Sequence, residues 1–217
     1  MKYAVLGTGM VGHTLATKLA TLGHDVRMGA RTSDNEKAMV WANANGTKAG
    51  HGTFSDVATW ADRVIFAVNG ARIVEVADAV TDAAVTDKTV IDVTNPLDMS
   101  TGMPPTLVPE LSNTTSAGEA LQSRLPSAKV VKTLNTMNHQ IMVDPARVSG
   151  DHDVFLSGDH EDAKSDVVSM LAEFGWSDPI DLGPLAAARG TEGMMPFWLR
   201  MWGAVGNADF NYRIVRA

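Results

Sequence analysis

Residues 1–30 read MKYAVLGTGMVGHTLATKLATLGHDVRMGA. The apolar run Lys2–Leu6 is too short for a stable helix, and it stops at a glycine motif of the form GxGxxG, Gly7–Gly12. Leucines then recur at helical spacing as far as Gly23, and Asp25–Gly29 is predicted as a second strand. A strand, a glycine turn, a helix and a second strand in this order predict a βαβ unit that binds a dinucleotide.

Each glycine of the motif has a separate physical role in such a unit. Gly7 allows a tight turn out of the strand, Gly9 lets the backbone approach a pyrophosphate, and Gly12 lets the helix pack close to the sheet. We therefore expect the pyrophosphate at the N-terminus of the helix, where unpaired N–H groups and the helix dipole favour an anion.

The end of the second predicted strand indicates NADP rather than NAD. An NAD site usually has an Asp or Glu here to bind the ribose hydroxyls, whereas this chain has Arg31, Thr32 and Ser33 and no carboxylate before Asp34. A guanidinium beside hydroxyl groups suits a 2′-phosphate, because Arg presents a planar fork of donors. The alternative is that Arg31 is an ordinary solvated residue at a strand end.

The composition is that of one globular core, with 217 residues, of which 45% are hydrophobic and 20% charged. The net charge of 18 − 25 = −7 argues against nucleic acid as a partner. Cysteine is absent and the histidines lack metal-binding spacing, so we expect no disulfide, iron–sulfur cluster or metal site. No signal-peptide pattern or membrane-length apolar run is present, so we expect a cytoplasmic protein without membrane contact.

The remainder of the chain alternates predicted strands and helices, which is typical of an α/β protein. The later predicted strands are Arg63–Val68, Lys88–Val93, Lys129–Leu134, Asp153–Ser157 and Pro179–Leu182. The later predicted helices are Glu36–Trp41, Phe54–Trp60, Ala71–Val85, Glu119–Leu125, Glu161–Phe174 and a last helix that begins with Pro184.

This alternation predicts an α/β fold of the Rossmann type, with a doubly wound, mostly parallel sheet and a small C-terminal helical extension. We expect residues 1–137 to form the dinucleotide-binding Rossmann core. Residues 138–217 are expected to form a smaller C-terminal α/β extension that packs on the same sheet.

Polar turns follow two of the predicted strands. Ligands of an open parallel sheet lie outside the carboxyl ends of its strands, so we expect Val68 and Asn69, with Asn95 and Pro96, to contact the nicotinamide and its ribose. Plain turn chemistry explains Asn-Gly and Asn-Pro pairs equally well.

Two further stretches have unusual compositions. Residues 98–114 are rich in proline and small polar residues, and they are expected to form a long loop that acts as a lid. Residues 194–202 concentrate Met, Phe and Trp, a composition more typical of a core lid or dimer face than of a cofactor site. We therefore expect a homodimer.

Further motifs extend along the whole chain beside the glycine turn Gly7–Gly12. They are Gly29–Arg31, Val130–Thr136, Ser157–Asp159, and Asp181–Leu185 followed by Arg189 and Glu192. With these motifs the chain resembles the family of NADPH-dependent reductases of the deazaflavin coenzyme F420, whose Rossmann domain is shared with membrane ferric reductases. The resemblance runs nearly end to end, and the last motif is its most specific part.

The resemblance implies NADP(H) as the cofactor and coenzyme F420, or another flavin-like carrier, as the co-substrate. The residues it implies for NADP(H) are Thr8, Gly9, Met10 and Val11 at the pyrophosphate, and Arg31 with Thr32 at the 2′-phosphate. Asn135 and Met137 would lie against the deazaflavin. The chain departs from the family pattern in having Ala30 where serine is frequent and Asn135 where well-marked members have histidine.

The predicted function is hydride transfer between NADP(H) and a small-molecule redox carrier, most of all coenzyme F420. Transfer between two stacked rings needs alignment more than an acid or a base, so no catalytic residue is required. His139 could donate a proton to the product, although a lone His is more often a hydrogen-bonded loop residue. The alternatives are reduction of a flavin, ferric chelate or quinone, and a non-catalytic NADPH-binding sensor.

Overall fold

The computed structural model describes residues 1–100 and 102–215 of the chain. The strands are β1 (Lys2–Leu6), β2 (Asp25–Ala30), β3 (Ala49–Thr53), β4 (Arg63–Phe66), β5 (Thr89–Asp92), β6 (Leu97–Asp98), β7 (Thr106–Leu107), β8 (Lys129–Thr133), β9 (Phe155–Gly158) and β10 (Ile180–Asp181). The α-helices are α1 (Met10–Thr21), α2 (Glu36–Ala44), α3 (Phe54–Trp60), α4 (Ile73–Val80), α5 (Ala117–Arg124), α6 (His139–Val143), α7 (Glu161–Phe174), α8 (Ala188–Gly193) and α9 (Met195–Val205). Each helix in these ranges is too short or too polar to cross a membrane.

The main sheet has the strand order of a Rossmann fold. Its parallel part runs β3-β2-β1-β4-β5-β8. Strand β9 then pairs antiparallel with β8, and β10 lies parallel to β9 at the edge, which completes an eight-stranded sheet. The predicted doubly wound, mostly parallel Rossmann-type sheet with C-terminal helices is therefore confirmed. The strand order reverses between β1 and β4, and a crevice opens at the carboxyl ends of these strands.

Helices cover both faces of the sheet because each strand sends alternate side chains to opposite sides. In β4, for example, Val64 and Ile65 contribute to two different apolar clusters. One cluster joins the sheet to α1, α2, α6 and α7 and contains Leu15. The other joins it to α3, α4 and α5 and contains Ile73. The two buried layers hold the strand ends in place, and the site is built on these ends.

The helix predicted over residues 71–85 is broken into three pieces. A 3-10 turn at Gly70–Arg72 leads into α4, and a second 3-10 turn at Asp82–Val85 follows it. The break lies at Thr81, whose φ of +69° is in the left-handed region. A β-branched residue rarely adopts this conformation, so the identity of Thr81 does not indicate a break. The spacing of the apolar residues continues across it and does not indicate one either.

Residues 98–114 contain more regular structure than the predicted loop. Strands β6 and β7 pair antiparallel, with Leu97 opposite Leu107. A 3-10 turn at Pro109–Leu111 follows this short ribbon. Thr101 lies outside the described residues, and the predicted role as a lid stays a prediction.

The predicted last helix is divided. Pro184 precedes a 3-10 turn, Leu185–Ala187, instead of opening an α-helix, and two helices, α8 and α9, follow this turn. The division of the chain at residue 137 stays a prediction, since β8 and β9 lie on either side of it in one sheet. The last two residues of the predicted extension, 216 and 217, lie outside the described ranges.

Candidate functional site

The glycine turn between β1 and α1 has the geometry that the motif predicts. Gly7 has a φ of +121°, and a β-carbon there would lie 2.3 Å from the carbonyl oxygen of Ala67. A β-carbon on Gly12 would lie 2.1 Å from the carbonyl oxygen of Gly7. At Gly9, by contrast, a β-carbon would have no atom within 4 Å. The fold itself therefore requires Gly7 and Gly12, while Gly9 leaves open space in front of α1.

The N-terminus of α1 is accessible from this open space. Gly9 is the N-cap and provides no side chain, so the first-turn N–H groups have no capping oxygen from it. Met10 is 74% exposed, and Thr8 and Val11 are half-buried. Backbone donors at the positive end of a helix, such as this one of twelve residues, are groups that can bind an anion such as pyrophosphate.

Arg31 lies directly after β2, and its side chain is 72% exposed. Its Nε is 3.9 Å from Oε1 of Glu75, whose other oxygen accepts a hydrogen bond from Arg72 at 2.9 Å. An exposed pair at this distance contributes little stability, so the guanidinium remains available to a ligand. Thr32 is also exposed. A recess of about 220 Å³ adjoins Arg31 and is lined by Thr53, Phe54, Ser55, Glu75, Val76 and Ala79.

The loops after β4 and β5 lie against each other beside the glycine turn. A β-carbon on Gly70 would lie 2.3 Å from the carbonyl oxygen of Asn95, so the two loops are in close contact. Asn69 is exposed, and its Oδ1 accepts a hydrogen bond from the N–H of Ala71, which is the turn chemistry considered from the sequence. Val68 and Asn95 are half-buried, and Pro96 is buried. Together these residues form the floor of the crevice.

Asn135 supports this floor and does not line the crevice. Its Nδ2 donates to Oδ1 of Asn95 at 2.9 Å, and Nδ2 of Asn95 donates to the backbone carbonyl of Asn135 at 2.8 Å. Asn135 is only 2% exposed. The preceding residue, Leu134, has a φ of +61°, a conformation that costs a bulky residue about 1–3 kcal/mol. The unfavourable conformation of Leu134 directly precedes the residue whose amide is hydrogen-bonded to Asn95.

An apolar cleft of about 540 Å³ opens above the floor. Its lining includes the predicted residues Met10, Val11, Val68, Asn69, Asn95, Met137 and His139. The other lining residues are Ala67, Val93, Thr94, Leu97, Met99, Asn138, Met142, Met195, Trp198, Leu199, Trp202 and Ala208. None of these lining residues is an acid, a lysine or an arginine, so the cleft suits an uncharged ring system.

Met137 and His139 also line the cleft. Met137 is 6% exposed and belongs to the main apolar cluster. His139 opens α6, and its Nδ1 lies 2.8 Å from Oγ1 of Thr14 in α1. Burial lowers the pKa of His139 below its ordinary value of 6.5, and the positive charge of Arg147 adds to this effect. His139 is therefore held in place and is mainly neutral at pH 7.

The aromatic segment at residues 194–202 forms part of the lining of the cleft. Its composition alone did not predict this position. Trp198 is 8% exposed and stacks on Phe210 of the same chain, with ring centroids 5.3 Å apart. Phe197 is 57% exposed on the outer face of α9. The segment thus serves as a wall within one chain, and the expected homodimer stays a prediction for which elution volume is the test.

Sequence reasoning missed the inner face of α9 and the carboxylate of Glu75. The spacing of Met195, Trp198, Leu199 and Trp202 is the one-sided apolar pattern of a helix, but a pattern cannot say which surface it covers. Within residues 1–100 and 102–215, no group of three or more His, Asp or Glu side chains is arranged to hold a metal ion.

Comparisons with known proteins point to one family. The profile of the family described as NADP oxidoreductase, coenzyme F420-dependent, matches residues 2–96. The solved structure of an F420-dependent NADP-reductase candidate from Arthrobacter sp. FB24 is 45% identical, with a TM-score of 0.92 and coverage of 100% of both chains.

More distant relatives share parts of this similarity. Metalloreductase STEAP3 of Rattus norvegicus is 27% identical over 205 residues, which are 91% of this chain but only 38% of that protein. A reductive aminase from Aspergillus terreus, solved with NADPH and ethyl-5-oxohexanoate, is 17% identical with a TM-score of 0.63, over 94% of this chain and 62% of that one. At 17% identity, the similarity to the reductive aminase shows a shared fold and no more.

The end-to-end match at 45% identity, the family profile over the glycine turn and both floor loops, and the Rossmann strand order agree with one another. The chain belongs to the family of coenzyme F420-dependent NADP oxidoreductases.

Proposed function

We propose that this protein transfers a hydride between NADP(H) and a flavin-like redox carrier, with coenzyme F420 as the first choice of carrier. The observation that supports this most is the apolar cleft of about 540 Å³, which adjoins the glycine turn on one side and the aromatic wall of α9 on the other. Its lining combines Met137 and Trp198 with the floor loops, so it offers mainly apolar surface to two rings.

Residues along the crevice fit the parts of NADP(H) in order. The N–H groups at the start of α1 would bind the pyrophosphate, and Arg31 with Thr32 would bind the 2′-phosphate. Val68, Asn69 and the Asn95-Pro96 turn would support the nicotinamide end. NADPH supplies the hydride, so this chain has only to bind, to orient and to exclude water.

The acceptor is proposed from the lining of the cleft and from the relatives. The lining has no charged side chain at pH 7, which favours an uncharged ring over a charged substrate. The Arthrobacter relative is described as F420-dependent and the rat relative as a metalloreductase, so different acceptors occur among proteins similar to this one. Because the side chain of Asn135 is bonded to Asn95, we assign contact with the acceptor to Met137, His139 and the lining residues of α9.

The test is NADPH oxidation with a panel of acceptors: coenzyme F420, FMN, riboflavin, ferric chelates and quinones. We expect turnover with F420 and little with the others. If the protein turns over only with a ferric chelate or only with a quinone, that compound and not F420 is the acceptor. If the protein binds NADPH tightly and oxidises it with none of these acceptors, it is a non-catalytic sensor module, which is the other alternative that the sequence leaves open.

Met137→Trp is expected to block the acceptor while sparing NADPH. A larger side chain at this position would fill the part of the cleft assigned to the acceptor, and the floor loops would remain unchanged. The measurement is the KM for the acceptor beside the Kd for NADPH. Phe197→Trp, on the exposed face of α9, is the matched control and should leave both constants unchanged. Equal loss of both ligands in Met137→Trp would mean that Met137 only maintains the core.

If His139 donates a proton to the product, His139→Ala is expected to lower turnover and to remove one limb of the pH profile. A proton donor must be protonated, so NADPH oxidation should slow as pH rises through the pKa of His139. Because burial lowers this pKa, the limb should lie below pH 6.5. His160→Ala, at an exposed residue, is the control. A variant with the pH profile of the parent would exclude His139 from proton transfer.

The same lowered pKa makes stability depend on pH. Between the pKa of folded His139 and 6.5, the unfolded chain binds a proton at this residue and the folded chain does not. The melting temperature of the parent should therefore fall more steeply than that of His139→Ala as pH drops below 6.5.

A further inference from the structure

Three charged side chains meet in the interior beneath α5. Asp92 of β5 and Lys132 of β8 are opposite each other in the sheet register, and Glu192 of α8 reaches the same point. Nζ of Lys132 lies 2.9 Å from Oδ2 of Asp92 and 2.7 Å from Oε1 of Glu192. The exposed fractions of the Asp92, Lys132 and Glu192 side chains are 0%, 1% and 2%. These residues, the charge cluster, have no part in the binding steps described above.

Such a cluster is costly to bury, so packing alone does not explain it. Replacing a buried ion pair by apolar side chains of similar volume is often neutral or stabilising. Burial opposes the charged form of Lys132, yet the carboxylates of Asp92 and Glu192 outweigh it and hold the pKa of Lys132 above its ordinary value. Burial raises the pKa of Glu192, with Asp92 adding to the rise and Lys132 opposing it.

The remaining hydrogen bonds of the charge cluster end on the floor of the cleft and at the start of one helix, α5. Lys132 also donates to the backbone carbonyl of Thr94 at 2.6 Å, and Oδ1 of Asp92 accepts from the N–H of Thr94 at 2.8 Å. Glu192 accepts from the N–H groups of Ala117 and Gly118 at the start of α5, at 2.8 and 3.1 Å. Both backbone groups of Thr94 are therefore held by side chains of the cluster.

Thr94 directly precedes Asn95, whose amide is held by Asn135 through both its oxygen and its nitrogen. This part of the floor is thus fixed by backbone and side-chain bonds at two successive residues. Asn95 is also in close contact with Gly70 of the other floor loop, where a β-carbon would lie 2.3 Å from the carbonyl oxygen of Asn95. Glu192 also lies in α8, immediately before the cleft wall α9, so one cluster reaches both sides of the cleft.

We propose that Lys132, Asp92 and Glu192 are positioning residues that fix the loop Thr94–Pro96, and with it the orientation of the nicotinamide of NADP(H) in the cleft. They act through the backbone of Thr94 and do not touch the ring themselves. This inference rests on the proposed function, because it assigns the nicotinamide to this floor.

The experiment separates the two ends of the cofactor. The Kd of 2′,5′-ADP reports the adenosine end, and the emission of bound NADPH reports the environment of the nicotinamide. The variants are Lys132→Met and the neutral triple variant Asp92→Asn/Lys132→Met/Glu192→Gln. The triple variant keeps oxygen acceptors for Thr94, Ala117 and Gly118, so it remains testable if Lys132→Met alone does not fold.

We expect both variants to bind 2′,5′-ADP within about twofold of the parent while the emission of bound NADPH shifts towards that of free NADPH. Turnover with the acceptor found in the panel should fall on the order of a hundredfold, the cost of a small misplacement of reacting groups. Lys164→Met is the matched control, because the Lys164 side chain is 8% exposed and pairs with two other carboxylates, Glu161 and Asp181. It should leave emission and turnover unchanged.

Unchanged emission and turnover in the triple variant would overturn the proposal, as would the same losses in Lys164→Met. A triple variant that does not fold, or that loses 2′,5′-ADP and NADPH binding equally, would make the cluster a general structural requirement and would also overturn it. A parent protein that binds no NADPH contradicts the proposed function instead, so the two failures are distinguishable.

Discussion

Gly9→Val abolishes NADPH binding and leaves the fold intact: this is the result we expect at the glycine turn. Gly9 has φ −81° and ψ −179°, an extended conformation that valine adopts readily. A β-carbon there would meet no atom within 4 Å, so the side chain would occupy only the space in front of α1. Pyrophosphate placed in that space would lose at least two charge-assisted hydrogen bonds, about 3 kcal/mol or more in total, which is a hundredfold or greater loss of affinity.

The measurement is calorimetric titration of NADPH together with the melting temperature of each protein. Gly190→Val is the matched control, because a β-carbon at Gly190 also meets no atom within 4 Å and Gly190 lies in α8, away from the turn. It should bind NADPH as the parent does. If Gly9→Val binds NADPH normally, the pyrophosphate lies elsewhere. Gly12→Val should behave differently and unfold, since its β-carbon would lie 2.1 Å from a carbonyl oxygen.

The elements with local signals could be predicted from the sequence to the residue. Strand β1, helix α3 and helix α7 have the bounds expected from their apolar runs and end signals. Thr53 caps α3 by accepting a hydrogen bond from the N–H of Asp56, and Gly175 ends α7 with a φ of +107°. In each case the residues that determine the bounds of the element lie within the element or directly beside it.

The parts that depend on distant contacts could not be predicted in this way. The family resemblance implied that Asn135 lies against the acceptor, but its amide holds Asn95, which is forty positions away. The wall formed by α9 depends on how a C-terminal helix docks on a distant sheet edge. The sequence does contain a signal for the charge cluster, because Asp92 and Lys132 lie inside strands with buried apolar residues and a buried charge requires a partner.

The site thus combines two kinds of determinant. The glycine turn is local, and its chemistry follows from backbone geometry at Gly7, Gly9 and Gly12. The cleft is assembled from five separated stretches of chain, and only the packed sheet brings them together. Nucleotide binding can therefore be predicted from one motif, whereas the choice of acceptor depends on the assembled walls.

Arg31→Ala should weaken NADPH binding by roughly ten- to a hundredfold and leave NADH binding little changed. Arg31 directly follows β2, the position from which Rossmann folds in general contact the adenosine ribose. Charge-assisted hydrogen bonds to a 2′-phosphate are worth about 1.5–3 kcal/mol, at 1.4 kcal/mol per decade of affinity. NADH lacks this phosphate, so it has nothing to lose at this position.

Glu75 refines the expectation, because its Oε1 lies 3.9 Å from Nε of Arg31 before any ligand binds. The incoming phosphate must compete with this carboxylate and is repelled by it. Glu75→Gln should therefore raise NADPH affinity slightly, by less than the effect of Arg31→Ala, since exposed pairs contribute at most about 1 kcal/mol. Arg31→Asp should go further than Arg31→Ala, because it adds repulsion of the phosphate and offers a partner to the ribose hydroxyls of NADH.

The experiment is a titration of NADPH and NADH against the parent, Arg31→Ala, Arg31→Asp and Glu75→Gln, at two salt concentrations. Arg124→Ala is the matched control, since Arg124 is also exposed and pairs with a surface carboxylate, Asp78, at 3.4 Å. Salt should weaken NADPH more than NADH in the parent, because the additional contact is ionic and exposed to solvent. If the parent prefers NADH, or if Arg31→Ala lowers both affinities equally, the assignment of NADP specificity to this position is wrong and Arg31 is only a surface residue.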